Sequence, residues 1–273
     1  MKLIGRAFAL FLALLLVACG GGGGGSGTGT TGVVPTVGRT ESLSVMSTNT
    51  GFTYPINVYL PAQYDANTAA HFPVIFAVDG DAQFGYPNND TRFDALKEAL
   101  QQRGTAAILI GVGGTVRRNT DFLPFGSIGY HAFLTQELVP AIDQRYRTDT
   151  TKRILSGLSY GGTITFLSFT YEGAGPTTFR YFWSTETGAP NGFPQQLFDA
   201  EAAMFAAVQG RTVPVSLFLA GANGSNGALV ASLYDQVASR HYAGLDLQQV
   251  AYGTTHVGAD LPAFNEALTR FLP

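Results

Sequence analysis

From about residue 39 onward the chain alternates short apolar runs with longer stretches whose apolar residues recur at helical spacing. Residues 73–78 (PVIFAV) and 106–112 (AAILIGV) are continuous apolar runs of the kind buried on both faces of a sheet. Residues 41–46 and 52–60 form a leading pair of strands with no helix between them, which points to an antiparallel edge. Later strands are expected at 154–157, 179–185, 213–220 and 245–252. The intervening stretches 93–103, 133–146, 161–171, 195–208, 229–240 and 261–272 carry helix formers at helical spacing. Strand alternating with helix, with strands apolar on both faces, predicts a mostly parallel sheet between two helical layers. The expected fold is a single doubly wound α/β domain over residues 39–273.

Composition narrows the function classes. The 273 residues are 45% hydrophobic and 13% charged, ample to bury one large core. Sixteen basic against 19 acidic residues leave no cationic excess to neutralise phosphates, so nucleic acid is not an expected partner. A single cysteine excludes an internal disulfide framework and a cysteine-built zinc site. No metal or cofactor is expected. The segment 111–114 (GVGG) lacks the G-x-G-x-x-G spacing of a dinucleotide site and opens no helix.

The first residues have a separate character. Lys2 and Arg6 precede a charge-free run, residues 7–17, too short to span a bilayer with ease. The run ends in LVACG, which resembles a bacterial lipobox. That resemblance implies that residues 1–18 are a signal peptide and that Cys19 is lipidated. The Gly/Ser/Thr-rich stretch that follows reads, to residue 38, as a flexible tether. The expectation is an exported protein, anchored by lipid on the periplasmic side or the surface of a bacterial membrane.

One motif carries chemistry. Residues 157–161 (GLSYG) fit G-x-S-x-G, following an expected strand and opening an expected helix, which is the setting that motif requires. A serine on so sharp a turn projects its hydroxyl above the carboxyl edge of the sheet, where open α/β sheets bind ligands. Ser159 is thus the candidate nucleophile, and it needs a base. In the α/β-hydrolase order the base comes last. Of the four histidines only His241 and His256 follow Ser159, and His256 lies in a short loop after the last strand, at the same sheet edge. His241 ends a predicted helix, where a cation caps the dipole. Two backbone donors are required for a tetrahedral oxyanion. The Tyr160 amide, directly after the nucleophile, is one candidate, and the Gly80–Asp81 segment after the third strand is the other.

These stretches, with RRNTDFLP (117–124), FLTQELVPAIDQRYRTD (133–149), RILSGLSYGGTITF (153–166) and THVGADLPAF (255–264), resemble a bacterial esterase branch of the α/β-hydrolases. That branch holds esterase D-like enzymes, siderophore esterases of the enterochelin type, feruloyl esterases and mycolyltransferases. The resemblance implies Ser159 and His256 as catalytic residues, with residues 79–80 at the oxyanion hole, and fixes no substrate.

The third catalytic group departs from the pattern. The usual acid follows the strand at 213–220, yet 221–227 (GANGSNG) offers no carboxylate. Glu186, ending the preceding strand, ranks first. A Ser–His dyad oriented by a neutral group such as Asn223 comes next, and Asp235 last. Arg118, with Arg117, could bind an anionic substrate group or pair with Asp121. Tyr160, Phe122, Phe125, Tyr130 and Trp183 could line an aromatic pocket. The expected activity is hydrolysis of a small or polymer-borne carboxylic ester through an acyl-enzyme. The alternatives are acyl transfer from the same site and a non-catalytic surface lipoprotein that binds ligand in a hydrolase cleft.

Overall fold

Alternation within the strands decides how the molecule is layered. In the strand Phe72–Val78 (β3), Val74, Phe76 and Val78 enter one apolar cluster, while Ile75 and Ala77 enter another on the opposite face. The computed structural model describes residues 37–188 and 194–273, which fall in one compact unit. The expected signal segment, Cys19 and nearly all of the tether lie outside the described residues.

The remaining strands are Arg39–Met46 (β1), Thr53–Leu60 (β2), Ile108–Val112 (β4), Thr148–Leu158 (β5), Tyr181–Thr185 (β6), Ser216–Ala222 (β7) and Asp246–Tyr252 (β8). They form one eight-stranded sheet in the order β1-β2-β4-β3-β5-β6-β7-β8. The β1–β2 and β2–β4 pairs are antiparallel and every other pair is parallel, so the expected α/β fold with an antiparallel N-terminal edge is the observed one.

Helices cover both faces. Arg92–Arg103 (α2) and Asp260–Phe271 (α9) pack Phe93, Leu96, Phe264 and Leu268 on one side. Tyr160–Gly173 (α6), Pro194–Val208 (α7) and Gly227–Ser239 (α8) cover the other. The expected helix at 133–146 is part of a longer run. It starts at Pro124–Ala132 (α4), passes through a π-helical stretch, Phe133–Leu138, and ends as Val139–Arg145 (α5). Pro140 lacks an N–H and its ring crowds the carbonyl four residues back, and the wider π turn ahead of it absorbs that mismatch. Gly126 and Gly129 hide the helical period of α4 in the sequence. Two short helices, Ala62–Ala66 (α1) and Arg118–Asp121 (α3), complete the set.

A buried ionic network pins the sheet's carboxyl edge. Arg92 and Asp260, both about 1% exposed, form a two-pronged pair: Nε donates to Oδ2 at 2.8 Å and Nη2 to Oδ1 at 3.0 Å. The same guanidinium donates to the Val78 carbonyl at 3.0 Å and to the Ser156 carbonyl at 3.2 Å, and Tyr86 donates its hydroxyl to Asp260. One side chain thereby joins the starts of α2 and α9 to the ends of β3 and β5. Removing one partner leaves a buried charge uncompensated, a loss of about 3–5 kcal/mol. Arg92→Met is therefore expected to lower the denaturant midpoint by that equivalent at unchanged m-value, and Arg92→Met with Asp260→Leu to recover much of it.

Candidate active site

The backbone at residues 157–162 is bent where the motif predicts it. Ser159 sits between β5 and α6 with φ 62° and ψ −120°, a conformation non-glycine residues rarely hold. The flanking glycines permit it. A Cβ at Gly157 would lie 1.9 Å from the Gly161 carbonyl oxygen, and one at Gly162 would lie 2.5 Å from the Thr185 carbonyl oxygen. Gly157→Ala is accordingly expected to misplace Ser159, with Ser159 labelling by a fluorophosphonate probe lost and the unfolding midpoint lowered.

The turn is tied to the next strand. The Ser159 amide donates to the Thr185 carbonyl at 3.0 Å, and the Gly188 amide donates back to the Ser159 carbonyl at 3.4 Å. Between these lies Glu186, fully buried at the end of β6 with φ 52°. Its Oε2 is 2.7 Å from His256 Nδ1, which donates to it when protonated there. The Ala222 amide donates to Oε1 and the Asn226 amide to Oε2 at 3.2 Å, while the Asn226 side chain donates to the Glu186 carbonyl at 3.0 Å. Ser225 Oγ lies 3.0 Å from His256 Nδ1 and also bonds the carboxylate. The loop after β7, which carries no acid, therefore serves as a cradle for an acid supplied by β6.

Burial alone would raise the Glu186 carboxyl. The bonds from His256, the Ala222 and Asn226 amides and Ser225 outweigh it and hold the group below the usual glutamate range. A depressed folded value means that its contribution to stability is present above the unfolded value, about 4.3, and is lost as pH falls through the folded value. The stability gap between the wild type and Glu186→Gln is expected to close on acidification through the folded value of Glu186, as measured by urea denaturation across pH.

Of the other acid candidates, Asp235 is exposed on α8 and is not joined to His256, and Asn223 enters only through its amide, which donates to the Tyr252 carbonyl. Among the described residues, His256 is bonded through Nδ1, with no hydrogen bond at Nε2 and none to the Ser159 hydroxyl. His131 pairs with Glu172 at 3.0 Å, which fixes α4 against α6.

The oxyanion segment needs one correction. The Gly80 amide donates to the Val112 carbonyl at 2.9 Å, so the β3–β4 pairing consumes it and it cannot serve as the expected donor. The amides of Asp81 and Tyr160 have no protein acceptor among the described residues, as befits a loop turning off a strand and the first residue of a helix. Asp79, with φ 56°, creates that loop turn, and the Asp81 carboxylate accepts from the Gly114 amide at 2.9 Å and the Thr115 amide at 3.1 Å.

The arginines are engaged. Arg117 pairs with Asp121 at 2.9 Å. Arg118 pairs with buried Asp79 at 2.9 Å, and its guanidinium lies 4.7 Å from the centre of the Tyr160 ring and 5.3 Å from that of Phe84. Burial pushes the Asp79 carboxyl up while Arg118 pulls it back. Most of the expected aromatic pocket is instead core: Phe122, Tyr130 and Trp183 are at most 2% exposed, Trp183 packing on Phe264 and Phe271. Among the described residues, no cluster of His, Cys, Asp and Glu could hold a metal ion, and no helix is long and apolar enough to cross a membrane.

A serine on a strand–helix turn after β5 and a histidine after β8 follow the α/β-hydrolase order, while the acid comes from the end of β6 and not from the usual place after β7. Residues 47–182 match the family described as "Putative esterase", and the chain belongs to this family of ester hydrolases. Among solved structures it is similar to an IroE-like serine hydrolase from Shewanella oneidensis, with 19% identity over 86% of this chain and 80% of that one, TM-score 0.72. It is also similar to the enterobactin and salmochelin hydrolase IroE, at 18% identity, 86% and 95% coverage and TM-score 0.65. The siderophore hydrolase EstA from Aspergillus nidulans follows at 14% identity, 85% and 93% coverage and TM-score 0.67. No curated protein matches the chain in sequence.

Proposed function

We propose that the protein hydrolyses carboxylic esters through an acyl-enzyme on Ser159, with His256 as general base and then acid, and Glu186 as the group that orients it. The bond from His256 Nδ1 to Glu186, 2.7 Å long and anchored to the turn that holds Ser159, carries this reading. A histidine whose Nδ1–H is held by a carboxylate presents a lone pair on Nε2 to the serine proton. The hydroxyl oxygen attacks the ester carbonyl, the tetrahedral oxyanion accepts from the Tyr160 and Asp81 amides, and the imidazolium returns the proton to the leaving alcohol. Water, activated by the same imidazole, then releases the acid.

Arg118 has a positioning part in this scheme. Its guanidinium pairs with Asp79 in the loop that presents the Asp81 amide and stacks on the ring of Tyr160, joining the two donor-bearing segments. The bond between Ser159 and His256 closes when substrate orders the site, since such contacts tighten in the bound complex. Carried with this reading is export of the chain and its attachment to a bacterial membrane through Cys19.

Ser159→Ala is expected to abolish both hydrolysis of p-nitrophenyl acetate and fluorophosphonate labelling in a folded protein. Glu186→Gln should cut kcat by about 10⁴-fold with KM little changed, because the wrong imidazole tautomer is then favoured. A folded, unlabelled wild type would instead mean a ligand-binding protein on a hydrolase scaffold.

A further inference from the structure

A cleft of about 420 Å³ opens beside His256, lined among others by Phe84, Tyr86, Thr255, Val257, Leu261 and Pro262. Thr255, Val257 and Gly258 belong to the loop that carries His256, and Phe84 to Pro87 follow the segment that carries Asp81, so the cleft lies between two loops of the site. That proton transfer requires the alcohol oxygen to sit about 3 Å from the imidazole nitrogen. A cleft built on the His256 loop is open to whatever is bonded to that oxygen.

Among the described residues, no charged side chain lines the cleft. Tyr86 contributes its ring, because its hydroxyl is committed to Asp260, whose own charge is neutralised by Arg92. The Thr255 hydroxyl accepts from the Gly258 amide at 3.2 Å, leaving one O–H as the polar handle. The walls are also preformed: the Tyr86–Asp260 bond ties the loop after β3 to the first turn of α9. An uncharged cleft with aromatic and aliphatic side chains in its walls offers an apolar group contact and a charged one no ionic partner.

We infer that this cleft is the leaving-group subsite and that it selects esters of uncharged, apolar alcohols of benzyl size over small or charged alcohols. The inference rests on the hydrolase reading, since it assigns the alcohol half of the substrate by its nearness to His256.

The test uses acetates that differ only in the alcohol: ethyl acetate, benzyl acetate and 4-(acetoxymethyl)benzoate. The kcat/KM for benzyl acetate is expected to exceed that for ethyl acetate by about 10-fold or more, with the carboxylate analogue returning to the ethyl level. Leu261→Asp, and the more exposed Pro262→Asp should the first fail to fold, each place a carboxylate in the cleft and should collapse the benzyl-to-ethyl ratio toward one. In parallel, benzyl alcohol is titrated into folded Ser159→Ala by NMR, where shifts at Thr255 and Val257 are expected, and their loss in Ser159→Ala carrying Pro262→Asp. Equal kcat/KM for benzyl and ethyl acetates overturns the subsite and leaves the hydrolase standing. Binding of benzyl alcohol without Ser159-dependent turnover of any acetate overturns the hydrolase reading and, with it, the leaving-group role.

Discussion

A buried carboxylate with no solvent must be satisfied by the protein, and the way Glu186 is satisfied organises the site. Its oxygens receive the amides of Ala222 and Asn226, and the remaining capacity falls to His256 and Ser225. Those amides come from β7 and the start of α8, the imidazole from the loop after β8, and the carboxylate itself from β6. A fully buried anion is tolerated only with such partners. Strand ends that adjoin one another in the sheet are thereby locked in register at their carboxyl edge, and Ser159 joins them through its amide on Thr185.

The buried Arg92–Asp260 pair plays the complementary part on the opposite face. Both of its residues are withdrawn from solvent, and its extra donors go to the backbone of β3 and β5 just before each strand delivers its functional segment. A purely apolar contact would bury as much surface without setting direction. The forked hydrogen bonds set the orientation of α9 relative to the sheet, and α9 begins four residues after His256. Arg118 and Asp79 repeat the device at the rim of the site, where one guanidinium holds both a carboxylate on the loop after β3 and an aromatic ring beside the nucleophile.

Much of this was legible beforehand, for identifiable reasons. The parallel strands are apolar on both faces and so stand out as runs, and the turn at 157–161 combines glycines that only close backbone approach explains. The helix at 124–132 leaves no periodic signal, because Gly126 and Gly129 mask its period. Gly80 reads as a donor because a glycine after the third strand allows close backbone approach, but in the folded chain its amide extends the β3–β4 ladder. Ser225 and Asn226 carried no signal at all, since a Gly/Ser/Asn loop looks like a bare connection until a carboxylate from another strand enters it.

The order of hydrophobic runs determined the layered α/β fold, and the local turn chemistry determined where a strained serine would stand, because both are set by residues close together along the chain. Which acid faces His256, which amides stay free, and which aromatics line space rather than fill core were decided only by tertiary structure. Those outcomes depend on strand neighbours tens of residues apart competing for the same donors and the same volume, and no local pattern records who wins.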